Sequence, residues 1–274
     1  MNLISPNFSD LYKPNVEIKK FPDGDNYVCL PEAKDEVNLF HRLYPEQDSA
    51  LLQALLMLDT LKRKKIATTL VSPYLPYARQ DKTFKPGEAM SAEVICDLLH
   101  YAGAKQLITV DCHFLKKEGK FTYGNLPITN LSANKLLVAH AKKLVGDVEV
   151  ISPDAGASYL VEGHGGKSMN KVRGEYIEGE MAYRKIEKVE MDFEVKGKNI
   201  LILDDMISTG GTMLRAVENV KKGGAKKVLC AATHGFFLRD SLAKLQATAD
   251  HIFVTDSIPC SVAAVALKPL LTRL

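Results

Sequence analysis

The sequence predicts an α/β protein made of two domains, each with a mainly parallel sheet that is flanked by helices. Helix-like and strand-like segments alternate along all 274 residues, which is typical of βαβ units. This alternation occurs in two sets, one before and one after about residue 133. We therefore predict an N-terminal domain at residues 1–133, a C-terminal domain at residues 134–274 and a cleft between them.

Local patterns place the individual elements. Ser91, Ser132 and Asp240 are suited to cap helices, and Gly103 is suited to follow the end of one. The predicted helices cover residues 49–62, 91–101, 132–144, a segment that ends at 222, and a short stretch from 240. The predicted strands are short aliphatic runs at residues 66–71, 106–110, 148–151, 199–203, 227–232 and 251–254.

Composition and charge exclude several classes of protein. Lys plus Arg is 36 and Asp plus Glu is 33, and this balance argues against nucleic-acid binding. No apolar stretch approaches the length that spans a bilayer, and residues 1–10 lack the features of a secretory signal. The five cysteines form no C-x-x-C pair, which favours free thiols in a reducing compartment. We therefore expect a cytoplasmic protein that binds neither nucleic acid nor membranes.

The most informative motif is the run from residue 199 to residue 212. An apolar strand leads into two aspartates, and Ser-Thr-Gly-Gly-Thr follows before a helix. Backbone N–H groups at such a helix N-terminus bind phosphate, and glycines allow positive φ and close approach to a ligand. The hydroxyls can donate to phosphate oxygens, and ionised aspartates can accept from ribose hydroxyls. The motif predicts a sugar-phosphate site whose candidate residues are Asp204, Asp205, Ser208, Thr209, Gly210, Gly211 and Thr212.

A second block, residues 72–82, follows a predicted strand. Loops at the carboxyl ends of strands bind ligands in open α/β sheets. Arg79 and Lys82 can contact phosphates, and Gln80 can both donate and accept hydrogen bonds. Taken alone, this block fits a solvated basic loop equally well.

Three shorter blocks also carry polar groups. Asp111 and His113 come at the end of one strand, where the histidine is either a metal ligand or a structural residue. Asp154 closes another strand just before a helix, a position suited to hold Mg²⁺ beside phosphate oxygens. Residues 21–25 form a turn with an exposed aromatic ring, for which a plain surface turn is the alternative.

Taken in this order, the five blocks resemble the ribose-phosphate pyrophosphokinase (phosphoribosyl-diphosphate synthetase) family. The resemblance runs from about Phe21 to Pro259, and its most specific pair is Tyr-Ala-Arg-Gln-Asp-Lys at 77–82 with Asp-Asp-Met-Ile-Ser-Thr-Gly-Gly-Thr at 204–212. The second motif also resembles the phosphoribosyl-diphosphate loop of the type I phosphoribosyltransferase fold, which implies that fold for both domains. Simple phosphoribosyltransferases lack the first motif.

The resemblance implies a role for each block. The residues that would hold the adenine of ATP, typically from a neighbouring subunit of a homo-oligomer, are Phe21, Asp23 and Asp25. The other residues that would bind ATP are Arg79, Gln80 and Asp81, and its phosphates would contact Arg79 and Gln80. The residues that would hold Mg²⁺ are His113 and Asp154. The catalytic residues would be Lys171, Arg173 and His113. Lys171 and Arg173 lie at the start of a charged segment, residues 171–198. We expect this segment to be an exposed hairpin or mobile loop that closes over ATP.

The implied reaction moves the β,γ-diphosphoryl group of ATP to the anomeric hydroxyl of ribose 5-phosphate. A catalytically silent relative that regulates a synthetase is one alternative. The argument against it is the presence of the implied catalytic and metal-binding residues Lys171, Arg173, His113 and Asp154. A phosphoribosyltransferase is the other alternative, and it would leave the blocks at 21–25 and 79–82 without a role.

Two departures from the family pattern concern the adenine side. Residues 5–17 contain Pro6 and Pro14, which predicts that the helix usual in this region is reduced or absent. Asp25 stands where the family commonly has Glu, which is one methylene longer. We expect both changes to affect purine selectivity and subunit contact rather than the reaction itself.

Overall fold

The computed structural model of the protein describes residues 1–176 and 184–272, with side chains at all of these positions except 170–176 and 184–190. The chain divides into two compact units, Met1–Ser132 and Ala133–Leu274, which are called the N-terminal unit and the C-terminal unit below. Among the residues described, no helix is both long enough and apolar enough to cross a membrane.

The N-terminal unit is a mixed sheet with helices packed on it. Its strands are β1 (Asn2–Ile4), β2 (Glu17–Lys20), β3 (Asn26–Cys29), β4 (Val37–Phe40), β5 (Thr68–Val71), β6 (Ala104–Val110), β7 (Gly119–Tyr123) and β8 (Leu126–Leu131). Its helices are α1 (Gln47–Arg63) and α2 (Ser91–Ala102). The main sheet has the order β1-β4-β5-β6-β8-β7 and is parallel except for β7, while β2 and β3 form a separate antiparallel pair.

The core of the N-terminal unit lies between this sheet and the two helices. Leu70 and Leu107 come from neighbouring parallel strands, Leu58 comes from α1 and Leu99 from α2, and all four are fully buried in one hydrophobic cluster. Each buried leucine of this kind stabilises the fold by about 1.5–3 kcal/mol. The helix predicted at residues 49–62 is therefore confirmed as α1, with Leu58 on its core-facing side.

A buried arginine organises the shortened N-terminal segment. Residues Pro6–Phe8 form only a single 3-10 turn, so the prediction that a full helix is missing here is confirmed. The guanidinium of Arg42 donates to both carboxylate oxygens of Asp10, at 2.6 and 2.9 Å, and its central carbon lies 4.5 Å from the centre of the Phe8 ring. Arg42 also donates to the backbone carbonyl of Asn7. These contacts fix the turn against the carboxyl end of β4.

The C-terminal unit is built on a parallel sheet. Its strands are β9 (Glu149–Ser152), β10 (Lys167–Ser168), β11 (Asn170–Tyr176), β12 (Arg184–Glu190), β13 (Asn199–Ile207), β14 (Lys227–Gly235), β15 (His251–Thr255) and β16 (Ala263–Val265). Its helices are α3 (Asn134–Val145), α4 (Tyr159–Glu162), α5 (Gly211–Lys222), α6 (Ser241–Thr248) and α7 (Lys268–Leu271). The sheet order is β10-β9-β13-β14-β15-β16, and β11 and β12 form a separate antiparallel pair.

The predicted α/β fold class is confirmed, and several local expectations need correction. Ser91 is the first residue of α2 rather than its cap, and Ala133, not Ser132, precedes α3. The strands β1, β2, β3, β4, β7, β8, β10 and β16 were not predicted. Most of them are only two to four residues long, and β7 carries little aliphatic signal, so their pairing depends on neighbouring strands rather than on local sequence.

The expectation that residues 171–198 stay outside the core is wrong for their last part. Val195 is only 1% exposed and belongs to the core of the C-terminal unit, with Met191 and Phe193 packed against it. These three apolar residues alternate with charged ones, a pattern that predicts an extended segment with one side facing the core. Residues 177–183 of the expected loop lie outside the described part of the chain.

Candidate functional site

The strand order of the C-terminal unit reverses between β9 and β13. From β9 the chain continues to β10 on one side, while from β13 it continues through β14 and β15 to β16 on the other. In open parallel sheets, ligands bind in the crevice outside the carboxyl ends of the two strands at such a reversal. The segment after β9 carries Asp154, and the loop after β13 carries residues 208–210, so these two predicted blocks flank the crevice.

The loop between β13 and α5 depends on one glycine. Gly210 has φ +73° and immediately precedes α5, and a Cβ at this position would lie 2.9 Å from Cβ of Ser241. Gly211 does not have positive φ, and nothing lies within 4 Å of where its Cβ would be. The expectation that both glycines supply positive φ is therefore wrong for Gly211, because it is already the first helical residue. Its missing side chain instead leaves open space at the helix N-terminus.

The N-terminus of α5 is suited to bind an anion. The first-turn N–H groups of an α-helix have no carbonyl partner within the helix, and the helix dipole adds partial positive charge there. Gly210 supplies no side-chain cap, and the first turn contains no acidic residue. The hydroxyl-bearing residues at this end are Ser208, Thr209 and Thr212, of which Thr209 is exposed and the other two are half-buried.

A second segment holds this loop in place. The backbone carbonyl of Ile207 accepts from the N–H of Phe236 at 2.9 Å, and the carbonyl of Ser208 accepts from the N–H of Leu238 at 3.0 Å. The Ser241 hydroxyl also donates to the carbonyl of Ser208, at 3.4 Å. The segment after β14 was not predicted to contribute here, and no local signal in the sequence marks it.

Asp204 and Asp205 lie within β13, which extends four residues beyond its predicted end. The N–H of Asp205 donates to Oδ1 of Asp204 at 2.9 Å. Burial, the charge of Asp205 and the charge of Asp154 hold the pKa of Asp204 well above its usual range. The structure therefore brings three predicted carboxyl groups close enough to influence one another, and Asp204 resists ionisation in the absence of a ligand.

Asp154 occupies the start of a 3-10 turn that follows β9. Its Oδ1 accepts from the N–H of Gly156 at 2.8 Å, and the side chain is half-buried. Within the described ranges, no group of three or more acidic, histidine or cysteine side chains is arranged to hold a metal ion. Mg²⁺ commonly binds through one or two carboxylates together with substrate phosphates, so Asp154 with its acidic neighbours fits that ion in the presence of a phosphorylated ligand.

In the N-terminal unit, the loop after β5 presents its cations to solvent while its backbone is anchored. Arg79 and Lys82 are exposed, and Gln80 and Asp81 are partly buried. The carbonyl of Gln80 accepts from the N–H of Ala92 at 3.1 Å, at the start of α2. An anchored backbone with exposed cationic side chains is an arrangement suited to binding phosphate.

His113 follows the neighbouring strand, β6. Asp111 has φ +42°, which turns the chain sharply at the strand end. The buried side chain of Asn130 accepts from the N–H of Cys112 and donates to the carbonyl of Lys117, both at 2.9 Å. One side chain thus fixes both ends of the segment around the half-buried His113.

Residues 21–25 form the turn between β2 and β3, as the sequence predicted. The N–H of Phe21 donates to the carbonyl of Asp25 at 2.8 Å, and the carboxylate of Asp23 accepts from the N–H of Asp25. The Phe21 side chain is 52% exposed, and its ring meets that of Tyr27 edge to face with centres 5.8 Å apart. The turn therefore presents an aromatic ring to solvent.

Lys171 and Arg173 lie on β11, opposite Val189 and Ile186 of β12. Their side chains are outside the described part of the structure, so the roles implied for them stay predictions. The same holds for the expectation that residues 171–198 close over a nucleotide.

The two units match two family models. The model for the N-terminal domain of ribose phosphate pyrophosphokinase matches residues 9–103, and the phosphoribosyl transferase domain model matches residues 162–267. Parallel sheets with a glycine-containing turn at the strand-order reversal and two matching domain models define the protein as a phosphoribosyltransferase-type α/β enzyme.

Relatives that match along nearly the whole chain narrow this class. Ribose-phosphate pyrophosphokinase of Pyrococcus furiosus is 34% identical over 267 residues, which cover 95% of this chain and 92% of the relative. The enzyme of the same name from Thermococcus kodakarensis is 35% identical over 266 residues, which cover 94% and 91%. The crystal structure of phosphoribosylpyrophosphate synthetase from Mycobacterium smegmatis matches with a TM-score of 0.81 and 26% identity, covering 100% of this chain and 96% of that one.

The chain belongs to the ribose-phosphate pyrophosphokinase family. The predicted family, fold and enzyme class are confirmed by these matches. The match of residues 9–103 to the synthetase-specific N-terminal domain favours the synthetase over a simple phosphoribosyltransferase.

Proposed function

We propose that the protein transfers the diphosphoryl group of ATP to O1 of ribose 5-phosphate, giving 5-phosphoribosyl 1-diphosphate and AMP. The observation that carries this proposal is the pairing of two carboxyl groups at the end of β13 with the uncapped N-terminus of α5. Carboxylates suit the hydroxyls of a pentose, and the helix N-terminus suits its phosphate.

Ribose 5-phosphate binds in the C-terminal unit. The 5-phosphate accepts from first-turn N–H groups of α5 and from the hydroxyls of residues 208–212, with Gly211 leaving room for close approach. Asp204 and Asp205 accept from the ribose hydroxyls. The pKa of Asp204 is raised in the ligand-free protein. Hydrogen bonds from the sugar and nearby positive charge lower this pKa and favour the ionised form.

ATP binds through the loops of the N-terminal unit. Phe21 stacks on the adenine, with Asp23 and Asp25 beside it, and the exposed position of this ring favours contribution to the site of a neighbouring subunit in a homo-oligomer, a dimer or a multiple of dimers. The groups proposed for the phosphates are Arg79 and Gln80, and Asp81 is proposed as a further ATP-binding residue of the same loop. The exposure of Arg79 and the anchored backbone of its loop support this assignment.

The chemical step is a displacement at the β-phosphorus. The anomeric oxygen forms a bond to the β-phosphorus, the bond from that phosphorus to the oxygen bridging to the α-phosphate breaks, AMP departs with the bridging oxygen, and the hydroxyl proton is released. Catalysis of such a transfer rests on positioning and on stabilising charge over the phosphoryl oxygens. Lys171 and Arg173, together with His113, supply positive charge or hydrogen bonds to these oxygens.

Mg²⁺ fits this site as a partner of the phosphates. The two residues proposed to hold it are Asp154 and His113. When bound, the ion neutralises phosphate charge and orients the diphosphate.

The most direct test combines purified protein with Mg²⁺, ATP and ribose 5-phosphate and follows the products by ³¹P NMR. We expect AMP and 5-phosphoribosyl 1-diphosphate in equal amounts, and neither product when ribose 5-phosphate is omitted. Release of free diphosphate from added 5-phosphoribosyl 1-diphosphate and a base would indicate a phosphoribosyltransferase instead. Absence of AMP would leave the regulatory-subunit alternative.

We place this activity in the cytoplasm. Cys29, Cys96, Cys112, Cys230 and Cys260 are all free thiols. A reducing compartment keeps such thiols reduced.

A further inference from the structure

Tyr123 connects two loops that the proposed function assigns to the nucleotide. It is the last residue of β7, the antiparallel edge strand that was absent from the predicted elements. The side chain is half-buried and packs against the core of the N-terminal unit. Its two ends make different contacts, one polar and one aromatic.

The polar contact reaches the loop after β5. The Tyr123 hydroxyl donates to the backbone carbonyl of Asp81 at 3.0 Å. The preceding carbonyl, that of Gln80, accepts from the N–H of Ala92 at 3.1 Å. Two consecutive carbonyls are therefore held from different elements, α2 and β7, which fixes the peptide planes that follow Gln80 and Asp81.

The aromatic contact reaches the segment after β6. The ring of Tyr123 stacks on the ring of Phe114, with centres 4.2 Å apart and planes inclined by 30°. Phe114 directly follows His113. Stacked pairs of this kind contribute about 0.5–1.5 kcal/mol beyond the area they bury.

We infer that Tyr123 is a positioning residue that sets the Arg79–Asp81 loop relative to His113, and thereby the affinity for the triphosphate of ATP. Since β5 and β6 are neighbours in the sheet, their two carboxyl-end loops lie side by side, and the side chain of Tyr123 contacts both. This inference rests on the proposed nucleotide role of these loops. Burial and the nearby acids Asp81 and Glu93 raise the pKa of Tyr123, so the hydroxyl keeps its proton and remains a donor at assay pH.

The test compares two conservative variants. Tyr123→Phe keeps the stack and removes only the hydrogen bond to Asp81, while Tyr101→Phe removes a hydroxyl from a side chain on α2 that is 65% exposed. Calorimetry measures binding of α,β-methylene-ATP with Mg²⁺, because this analogue cannot transfer its diphosphoryl group. Steady-state assays then give KM for ATP and for ribose 5-phosphate.

We expect Tyr123→Phe to weaken analogue binding and to raise KM for ATP by about threefold to tenfold, the range that one lost hydrogen bond produces. KM for ribose 5-phosphate should stay within twofold, and Tyr101→Phe should match wild type in every measurement. Phe114→Leu, which removes the stack but not the hydroxyl, should show the same selectivity for ATP.

Unchanged analogue binding in Tyr123→Phe, or an equal rise in both KM values, would overturn the inference, because a purely structural role does not distinguish the substrates. Weakened analogue binding in a protein that makes no AMP would support the inference while refuting the proposed reaction. A wild-type protein that does not bind the analogue would refute both.

Discussion

The N–H of Asp205 donates to Oδ1 of Asp204, so two consecutive acidic residues at the end of β13 are tied together at 2.9 Å. Asp205 is 5% exposed, and the pKa of Asp204 is raised by burial and by its acidic neighbours. Such a pair is unfavourable for the ligand-free fold at neutral pH. A binding site can retain such an unfavourable arrangement because ligand binding stabilises it.

Replacement of Asp204 should therefore separate stability from binding. A carboxyl group whose pKa is higher in the folded than in the unfolded chain stabilises the fold only at low pH, and this contribution is lost as pH rises. We expect Asp204→Asn to raise the melting temperature at pH 7.5 and to weaken ribose 5-phosphate more than ATP. Calorimetry of unfolding and of ligand binding measures both effects. Asp147→Asn, at an exposed position after α3, is the matched control and should change neither. A lower melting temperature or an equal loss of both ligands would contradict the assignment.

The two glycines before and at the start of α5 should respond differently to alanine. Gly210→Ala places a Cβ at positive φ and 2.9 Å from Ser241, and we expect it to lower the free energy of unfolding by about 1–3 kcal/mol. Gly211→Ala meets open space in a helical conformation, so stability should be kept or slightly increased. Its affinity for ribose 5-phosphate should nevertheless fall at least tenfold, because the new methyl group occupies the space proposed for the phosphate. Denaturant unfolding and calorimetric binding test the pair, and normal sugar-phosphate binding by Gly211→Ala would argue against the site.

His41 should make the N-terminal unit sensitive to acid. Its Nε2 lies 2.9 Å from the carbonyl of Ala50, which can only accept, so the neutral ring carries its proton on Nε2 and its Nδ1 accepts from the hydroxyl of Ser5 at 2.8 Å. Burial lowers the pKa of His41 from 6.5 to about 4. The folded chain therefore binds the proton less tightly than the unfolded chain, and stability falls as pH decreases from 6.5 to 4, by about 3 kcal/mol in total.

His41→Gln should remove this part of the pH dependence. We expect the unfolding midpoint in urea, followed by circular dichroism between pH 7 and pH 5, to change less in the variant than in wild type. His100→Gln, on the exposed side of α2, is the control and should retain the wild-type slope. Parallel slopes for all three proteins would show that His41 does not govern the effect.

Lys171 should act on the rate rather than on sugar binding. Loss of one positive charge that stabilises a transition state typically costs on the order of 3 kcal/mol, or about a hundredfold in rate. We expect Lys171→Ala to lower kcat by this factor with only a small change in the dissociation constant of ribose 5-phosphate. Lys222→Ala, an exposed lysine at the end of α5, is the control. Wild-type turnover in Lys171→Ala would remove the residue from the catalytic group.

The parts of the site that lie next to one another in sequence could be predicted, and those that depend on distant contacts could not. The order of apolar strand, two acids, Ser-Thr-Gly-Gly-Thr and helix is local, and it predicted the strand, turn and helix of this segment in outline. It could not distinguish Gly210 from Gly211, because the steric demand at Gly210 comes from Ser241 on α6.

The contacts that hold the loops proposed for the nucleotide show the same limit. Asn130 fixes the segment around His113 from β8, and Tyr123 contacts two loops from β7. Neither residue belongs to a recognisable motif, and neither strand has a strong apolar period. Their contributions arise only when the sheet brings segments together that are far apart in the chain.

The neighbouring positions of β9 and β13 also bear on how such enzymes diversify. Between these strands the chain adds the edge strand β10 to the sheet and crosses from the carboxyl end of β9 to the amino end of β13. Lys171 and Arg173, the residues proposed for catalysis, lie on this connection, while the glycine turn proposed for the sugar phosphate follows β13. Homologues can therefore vary one of these two segments while the other keeps its sequence.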